Sequence, residues 1–346
     1  MQSLDLARWA IVGVKDETGS GRMAEDLGRA LDPIRQLVAP SYRGAPERGS
    51  ATDAPLALEN DEALSQQLAP LQGIIIFEDT DWSRRAVRLA HGAGVKTVHV
   101  VLWEWMRFYV PEWQLCDLFV CVHGMAEKTM RRLGFRRLAR LVWPLNLAQL
   151  PRREIQGPAR RFAHNVGLLE KDDRKGAAIT LEAFRLVPLP DIELVVRVQN
   201  EFTLPFDDPR VRIESRHIEH HGDLYHLGDA AVQPSKCEGL GFMLLEAIAT
   251  GLPVITTDYP PMNEYVRRRE LLAATRWGKS PAEQTAYIHQ AHFKIPRAAS
   301  LARCIAWCAT HDMGPISAGN RAWAEETFAP EKVRRDWVAA LERLVS

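Results

Sequence analysis

Two glutamates, Glu238 and Glu246, stand eight positions apart with two glycines, Gly239 and Gly241, between them. Carboxylates accept hydrogen bonds from hydroxyl groups, and glycine lets a backbone turn tightly and approach a ligand closely. Residues 230–235 before them read as a short buried strand closed by Pro234 and Ser235. After them, residues 242–250 carry apolar side chains at helical spacing, and Gly251 suits the helix stop. Strand, glycine turn and helix together expose the N–H groups and positive dipole end of a helix, which is a seat for phosphate. On such a helix Glu246 lies roughly 12 Å along the axis from Glu238. A nucleoside diphosphate sugar needs about that separation between its hexose and its ribose.

A cation sits in a matching place upstream. Residues 162–167 read as a strand ending in Gly167, and Lys175-Gly176 opens a helix running to about 185. The same strand–glycine–helix pattern occurs near the N-terminus, where residues 10–14 lead through Gly19, Ser20 and Gly21 into a helix over 23–31. A full GxGxxG is absent, since Ala24 holds the third glycine place.

Other candidates follow the remaining N-terminal strands at 73–77, 97–102 and 118–122. Asp79-Thr80-Asp81 supplies oxygen ligands, although turn chemistry accounts for such a triplet equally well. Trp103, Glu104 and His123 stand where a parallel sheet opens to ligand, with core packing as the alternative for the tryptophan and a structural role for the histidine. Cys304, Cys308 and His311 share one face of a helix, but their apolar neighbours suit buried thiols, and no metal site is expected.

A chain of 346 residues most readily holds two domains. Five sparse cysteines argue for a reducing compartment and against a disulfide framework. No apolar run is long enough to span a bilayer and no signal-peptide pattern opens the chain, so a cytoplasmic location is expected. The 44 basic and 44 acidic residues cancel overall, yet between Glu127 and Arg161 ten bases face two acids, a local net of plus eight. Part of this segment is solvated helix face. The rest suits an anionic surface, either lipid headgroups at the inner face of a membrane or DNA. Residues 43–60 read as a mobile loop, and alternating strands and helices on both sides of the prolines 144, 151 and 158 give two α/β units.

The segment from 237 to 258, with Glu238, Glu246, Gly251-Leu252-Pro253-Val254 and Glu264 behind it, resembles the donor-binding signature of retaining glycosyltransferases of family 4. That resemblance, firm from about 162 to 267, implies a GT-B fold of two Rossmann-like domains facing each other across a cleft. It places an acceptor-side domain at 1–155, a donor-side domain at 156–328 and a helix crossing back at 329–346. It implies catalytic roles for Glu238, on the sugar hydroxyls, and Lys175, on the diphosphate, with Glu246 on the ribose. Gly19, Ser20, Gly21, Gly167, Gly239, Leu240, Gly241 and Phe242 complete the implied donor site, and Asp81, Trp103, Glu104 and His123 the acceptor side. The co-substrate is then a nucleoside diphosphate sugar, no metal is required, and the acceptor is a hydroxyl of a glycan or a lipid-linked intermediate. A hydroxylated DNA base as acceptor, or a sugar-nucleotide binder with weak chemistry, are the alternatives. The chain departs from the family at Leu168, where a phosphate-binding arginine is usual; Lys171, Arg174 or a more distant arginine must then serve.

Overall fold

The structure is a computed structural model and describes residues 3–16, 19–40, 53–107, 109–215, 218–278 and 292–346. The chain packs as two compact units, Met1–Leu145 with Phe328–Ser346, and Asn146–Thr327. The division falls at 145/146 and not at 155/156, because the intervening residues already bond into the second unit. Arg153 N donates to Thr250 O at 2.7 Å, Ile155 N to Ser317 Oγ at 3.1 Å.

In the first unit the strands are β1 (Trp9–Val14), β2 (Arg35–Ala39), β3 (Asp53–Pro55), β4 (Gly73–Ile76), β5 (Lys96–Val100), β6 (Leu118–Cys121) and β7 (Leu138–Arg140). All pair in parallel, in the order β3-β2-β1-β4-β5-β6-β7. The connecting helices are α1 (Gly19–Ala30), α2 (Asp61–Leu68), α3 (Asp81–Gly92) and α4 (Gly124–Arg132). β1 and β4 are buried along their whole length, as expected of a sheet covered on both faces, and their near-continuous Val and Ile content fits that burial.

The second unit repeats the pattern with β8 (Arg161–Gly167), β9 (Glu193–Val198), β10 (Val211–Glu214), β11 (Ala230–Gln233), β12 (Val254–Thr257) and β13 (Leu272–Ala273), in parallel order β10-β9-β8-β11-β12-β13. A separate antiparallel pair, β14 (Thr275–Trp277) and β15 (Lys294–Pro296), stands beside it. Its helices are α5 (Ala177–Arg185), α6 (Phe242–Thr250), α7 (Met262–Tyr265), α8 (Ala298–Thr310) and α9 (Gly314–Thr327). The last helix, α10 (Pro330–Val345), packs in the first unit: the buried Trp337 donates its Nε1–H to Val142 O at 2.9 Å and meets Trp143 edge-on at 5.9 Å.

Strand order reverses between β1 and β4 in one sheet and between β8 and β11 in the other, and ligands bind sheets of this kind outside such switch points. Two expectations need correction. The loop assigned to 43–60 contains β3, an edge strand pinned by pairing with β2 and by a 2.5 Å ion pair between Lys15 and Asp53; residues 41–52 lie outside the described ones. And Gly19, Ser20 and Gly21 are not a turn but the first residues of α1, the helix beginning four residues earlier than the Met23 start read from its apolar periodicity. Among the described residues no helix is long and apolar enough to cross a membrane.

Candidate active site

At the second unit's switch point two loops are stitched together. The loop after β8 (residues 168–176) and the loop after β11 (residues 234–241) share the bonds Lys236 N to Arg174 O at 2.9 Å, Arg174 Nη1 to Cys237 O at 3.0 Å and Lys236 Nζ to Asp172 O at 3.0 Å. From below, β12 fixes the second loop through Thr256 Oγ1 to Gln233 O at 2.8 Å and Thr257 Oγ1 to Ser235 O at 2.7 Å. Two glycines make the geometry possible. Gly176 (φ +83°) and Gly241 (φ +80°) precede α5 and α6 in left-handed conformation, and a Cβ on Gly176 would lie 2.7 Å from Pro234 O. Neither glycine has a side chain to cap its helix, and at α5 Asp173 places its carboxylate on the first N–H groups, from Ala177 at 2.6 Å and Ala178 at 3.1 Å.

Glu238 sits at the mouth of α6, 7% exposed. Its Oε1 accepts from Lys175 Nζ at 2.5 Å and its Oε2 from Arg174 Nη1 at 3.2 Å. Burial by itself would push the Glu238 carboxyl up; the charges of Lys175 and Arg174, with hydrogen bonds from Lys175 and Ser235, outweigh it and hold the group at about 2. The site therefore carries a fully ionised acid between two cations at neutral pH. Gly239 and Leu240 complete the turn, Phe242 is the first residue of α6, and Gly167 (φ +69°) ends β8. Leu168 projects a half-exposed aliphatic side chain from the place where a cation was sought, and Lys171 is exposed on the same loop.

Glu246 lies one turn into α6, four residues beyond Phe242, and is 1% exposed; its Oε2 accepts from the Tyr225 hydroxyl and lies 2.8 Å from His221 Nε2. Neither Tyr225 nor His221 was singled out as a site residue. Both come from the short 3-10 helix His221–His226, twenty-odd positions before Glu246, and no periodicity or motif marks them. Arg153 fastens that helix by donating to Tyr225 O.

In the first unit the candidates are less concentrated. Trp103 and Glu104 are buried in the turn after β5, and His123, fully buried, follows the neighbouring β6. His123 caps α4, its Nδ1 accepting the Ala126 N–H at 3.1 Å, so in the neutral ring the proton is on Nε2. Asp81 differs. It is the first residue of α3, its carboxylate fully exposed and paired with Arg84, while Asp79 is buried and takes the Arg107 N–H at 2.7 Å and its Nε at 3.2 Å. Both carboxylates of the Asp-Thr-Asp triplet thus face arginines. Gly19, Ser20 and Gly21 gather at the first unit's own switch point, where Asp16 packs directly against Gly21. The basic segment divides between the units. Lys128, Arg131, Arg132, Arg136, Arg137 and Arg140 line the exposed α4–β7 edge of the first, where Arg131 pairs with Glu127 and Arg136 and Arg137 donate to carbonyls; in the second Arg152 pairs with Glu154, Arg153 with a carbonyl and Arg161 with Glu193.

The folds of the two units define the class: paired Rossmann-like α/β units of the GT-B type. Residues 217–290 match the family model described as Glycosyl transferases group 1. No curated protein matches the chain by sequence. Among solved structures, the Anabaena protein HepE, crystallised with UDP and glucose, superposes with a TM-score of 0.69 at 12% identity over 97% of this chain and 99% of that one. A glycosyltransferase from Rickettsia africae gives 0.68 at 11% identity over 98% and 99%, and sucrose-phosphate synthase from Thermosynechococcus elongatus 0.65 at 13% over 97% and 98%. At such identities the likeness is one of fold.

Proposed function

We propose that this protein is a retaining glycosyltransferase that moves a sugar from a nucleoside diphosphate donor to a hydroxyl acceptor without a metal ion. The observation that carries the reading is the buried Glu238 carboxylate at the start of α6, ionised and flanked by Lys175, inside the stretch matched by the glycosyl transferase model. Glu238 holds the hexose hydroxyls, and Lys175 with the N–H groups at the start of α6 takes up charge on the departing diphosphate. Glu246, oriented by Tyr225 and His221, receives the ribose hydroxyls. The acceptor hydroxyl attacks the anomeric carbon from the side that the diphosphate leaves. Its proton passes to the leaving phosphate oxygen, so the sugar keeps its configuration. One of the structures compared supports the donor class: HepE was crystallised with UDP and glucose and also with UDP-glucose.

On the acceptor side, Glu104 binds the hydroxyl-bearing partner while His123 holds the start of α4 beside it, and the basic α4–β7 edge favours an acceptor on an anionic surface, such as a lipid-linked glycan. The deciding experiment is a thermal-shift screen against UDP-, GDP-, ADP- and TDP-sugars in chelator, followed by NMR of the anomeric proton during turnover. One nucleotide should raise the melting temperature, the shift should vanish in Glu246→Ala, and the product should retain the donor's anomeric configuration. No shift with any donor, or an inverted product, would sink the corresponding half of the reading.

A further inference from the structure

We infer that Arg174 and Lys175 form a two-cation seat for the donor diphosphate, and that Glu238 is its built-in competitor, displaced from the seat when the diphosphate arrives. This rests on the donor reading above and adds to it the second cation and an order of events.

Four basic side chains stand on the two stitched loops: Lys171, Arg174, Lys175 and Lys236. Lys236 is committed to Asp172 O at 3.0 Å and to the Asp173 carboxylate at 3.5 Å, and Lys171 faces solvent. Arg174 and Lys175 are different, because each touches one oxygen of the same buried carboxylate, at 3.2 and 2.5 Å. Two cationic donors spaced to take two oxygens of one anion are also spaced for two oxygens of a phosphate group. Arg174 is fixed for this task by its bond to Cys237 O and by Glu170 at 3.8 Å, and a guanidinium has further N–H donors in the same plane. It reaches the site from six residues beyond Leu168, and the left-handed Asp173 (φ +46°) directly before it sets the direction of the loop.

Glu238 and a diphosphate compete for the same two cations. A diphosphate that wins that competition frees the Glu238 carboxylate beside the helix start, where a hexose attached to the phosphate presents its hydroxyls. Glu238 thus acts with opposite sign on two steps: it weakens binding of the bare anion and is needed for the sugar. A carboxylate that only gripped hydroxyls from beside the seat would repel the bare anion, but less than one that holds both cations itself.

The test is calorimetric titration of the full-length protein with inorganic pyrophosphate in chelator. Glu238→Gln should bind pyrophosphate about tenfold more tightly than the wild type, and Arg174→Ala at least tenfold more weakly. Arg174→Lys should recover most of the loss, and Lys171→Ala should bind as the wild type does. Melting curves for each variant separate a lost site from a lost fold. Wild-type affinity in a folded Arg174→Ala, or equal or weaker binding in Glu238→Gln, overturns the inference even if sugar transfer is observed. The expected pyrophosphate pattern without binding or turnover of any nucleotide sugar leaves the seat standing and removes the glycosyltransferase reading instead.

Discussion

The two units share a strand order and a parallel, doubly covered sheet, yet the ligand-facing ends of their strands are built from opposite materials. In the second unit, cations and a carboxylate converge on a glycine-opened helix start, and a second carboxylate is held one turn into that helix. In the first, the strand ends carry buried acids (Asp16, Glu78, Glu104) and a histidine, with Lys15 already paired to Asp53. One edge is equipped for an anion and the other for hydroxyl groups. The difference lies in the loops and not in the sheets; on the reading proposed above, one architecture would then serve both halves of a transfer reaction.

The comparison can be broken most forcefully at the cation. Lys175→Ala should lower the rate of transfer by about a thousandfold, the range seen on removing one transition-state donor. Steady-state kinetics with the donor found by the screen checks this, and near-normal turnover would show that the two edges do not divide the labour as described. Next in size is an acid effect common to both units. His99 in β5 and His164 in β8 are fully buried and pulled down by burial from 6.5 to about 4, His164 donating Nδ1–H to Val232 O at 2.7 Å. Both must protonate on unfolding between those values, so stability is complete above pH 6.5 and is lost as the pH falls towards 4. About 3 kcal/mol for each histidine is the expected scale. Urea melts at pH 7 and pH 4.5 measure it, and His99→Phe and His164→Gln should each flatten the loss in its own unit. Glu238 works in the same direction at the acid end: held at about 2 against an ordinary value of 4.5, its contribution is complete above about pH 4.5 and is lost as the pH falls from there towards 2.

Smaller effects sharpen the assignment. Glu246→Gln should raise the donor KM about tenfold with kcat little changed, and Tyr225→Phe should do the same to a lesser degree, since each weakens ribose binding without touching the reacting bond. Equal losses in kcat would place Glu246 at the chemistry instead. The mildest change belongs to the first unit: Glu104→Gln should lower transfer several-fold while leaving the nucleotide-induced thermal shift intact. Loss of that shift would mean that the first unit helps to hold the donor.

Much of the fold was legible because its signals are local. Residues 230–257 announce strand, turn, helix and strand through apolar periodicity and glycine placement, and the structure has each where it was read. The short edge strands β3 and β7 were not legible. Three residues such as Asp53–Pro55 have no period of their own and become a strand only because β2 offers them a pairing partner. The start of α1 was missed for a related reason: Gly19 and Gly21 are poor helix formers, and tertiary packing against Asp16 overrides their propensity.

The sequence by itself determined the α/β class, the positions of Glu238, Glu246, Lys175 and their glycines, and the absence of a cation at Leu168. Only the tertiary structure decided which groups meet. Arg174 and Lys175 reach Glu238 across 64 and 63 positions of chain, and Tyr225 and His221 reach Glu246 from a segment without a motif. Spacing along a helix or strand follows from backbone geometry and can be counted. Which loops a switch point brings side by side depends on the order of strands in the sheet, and that order is set by the packing of the whole unit.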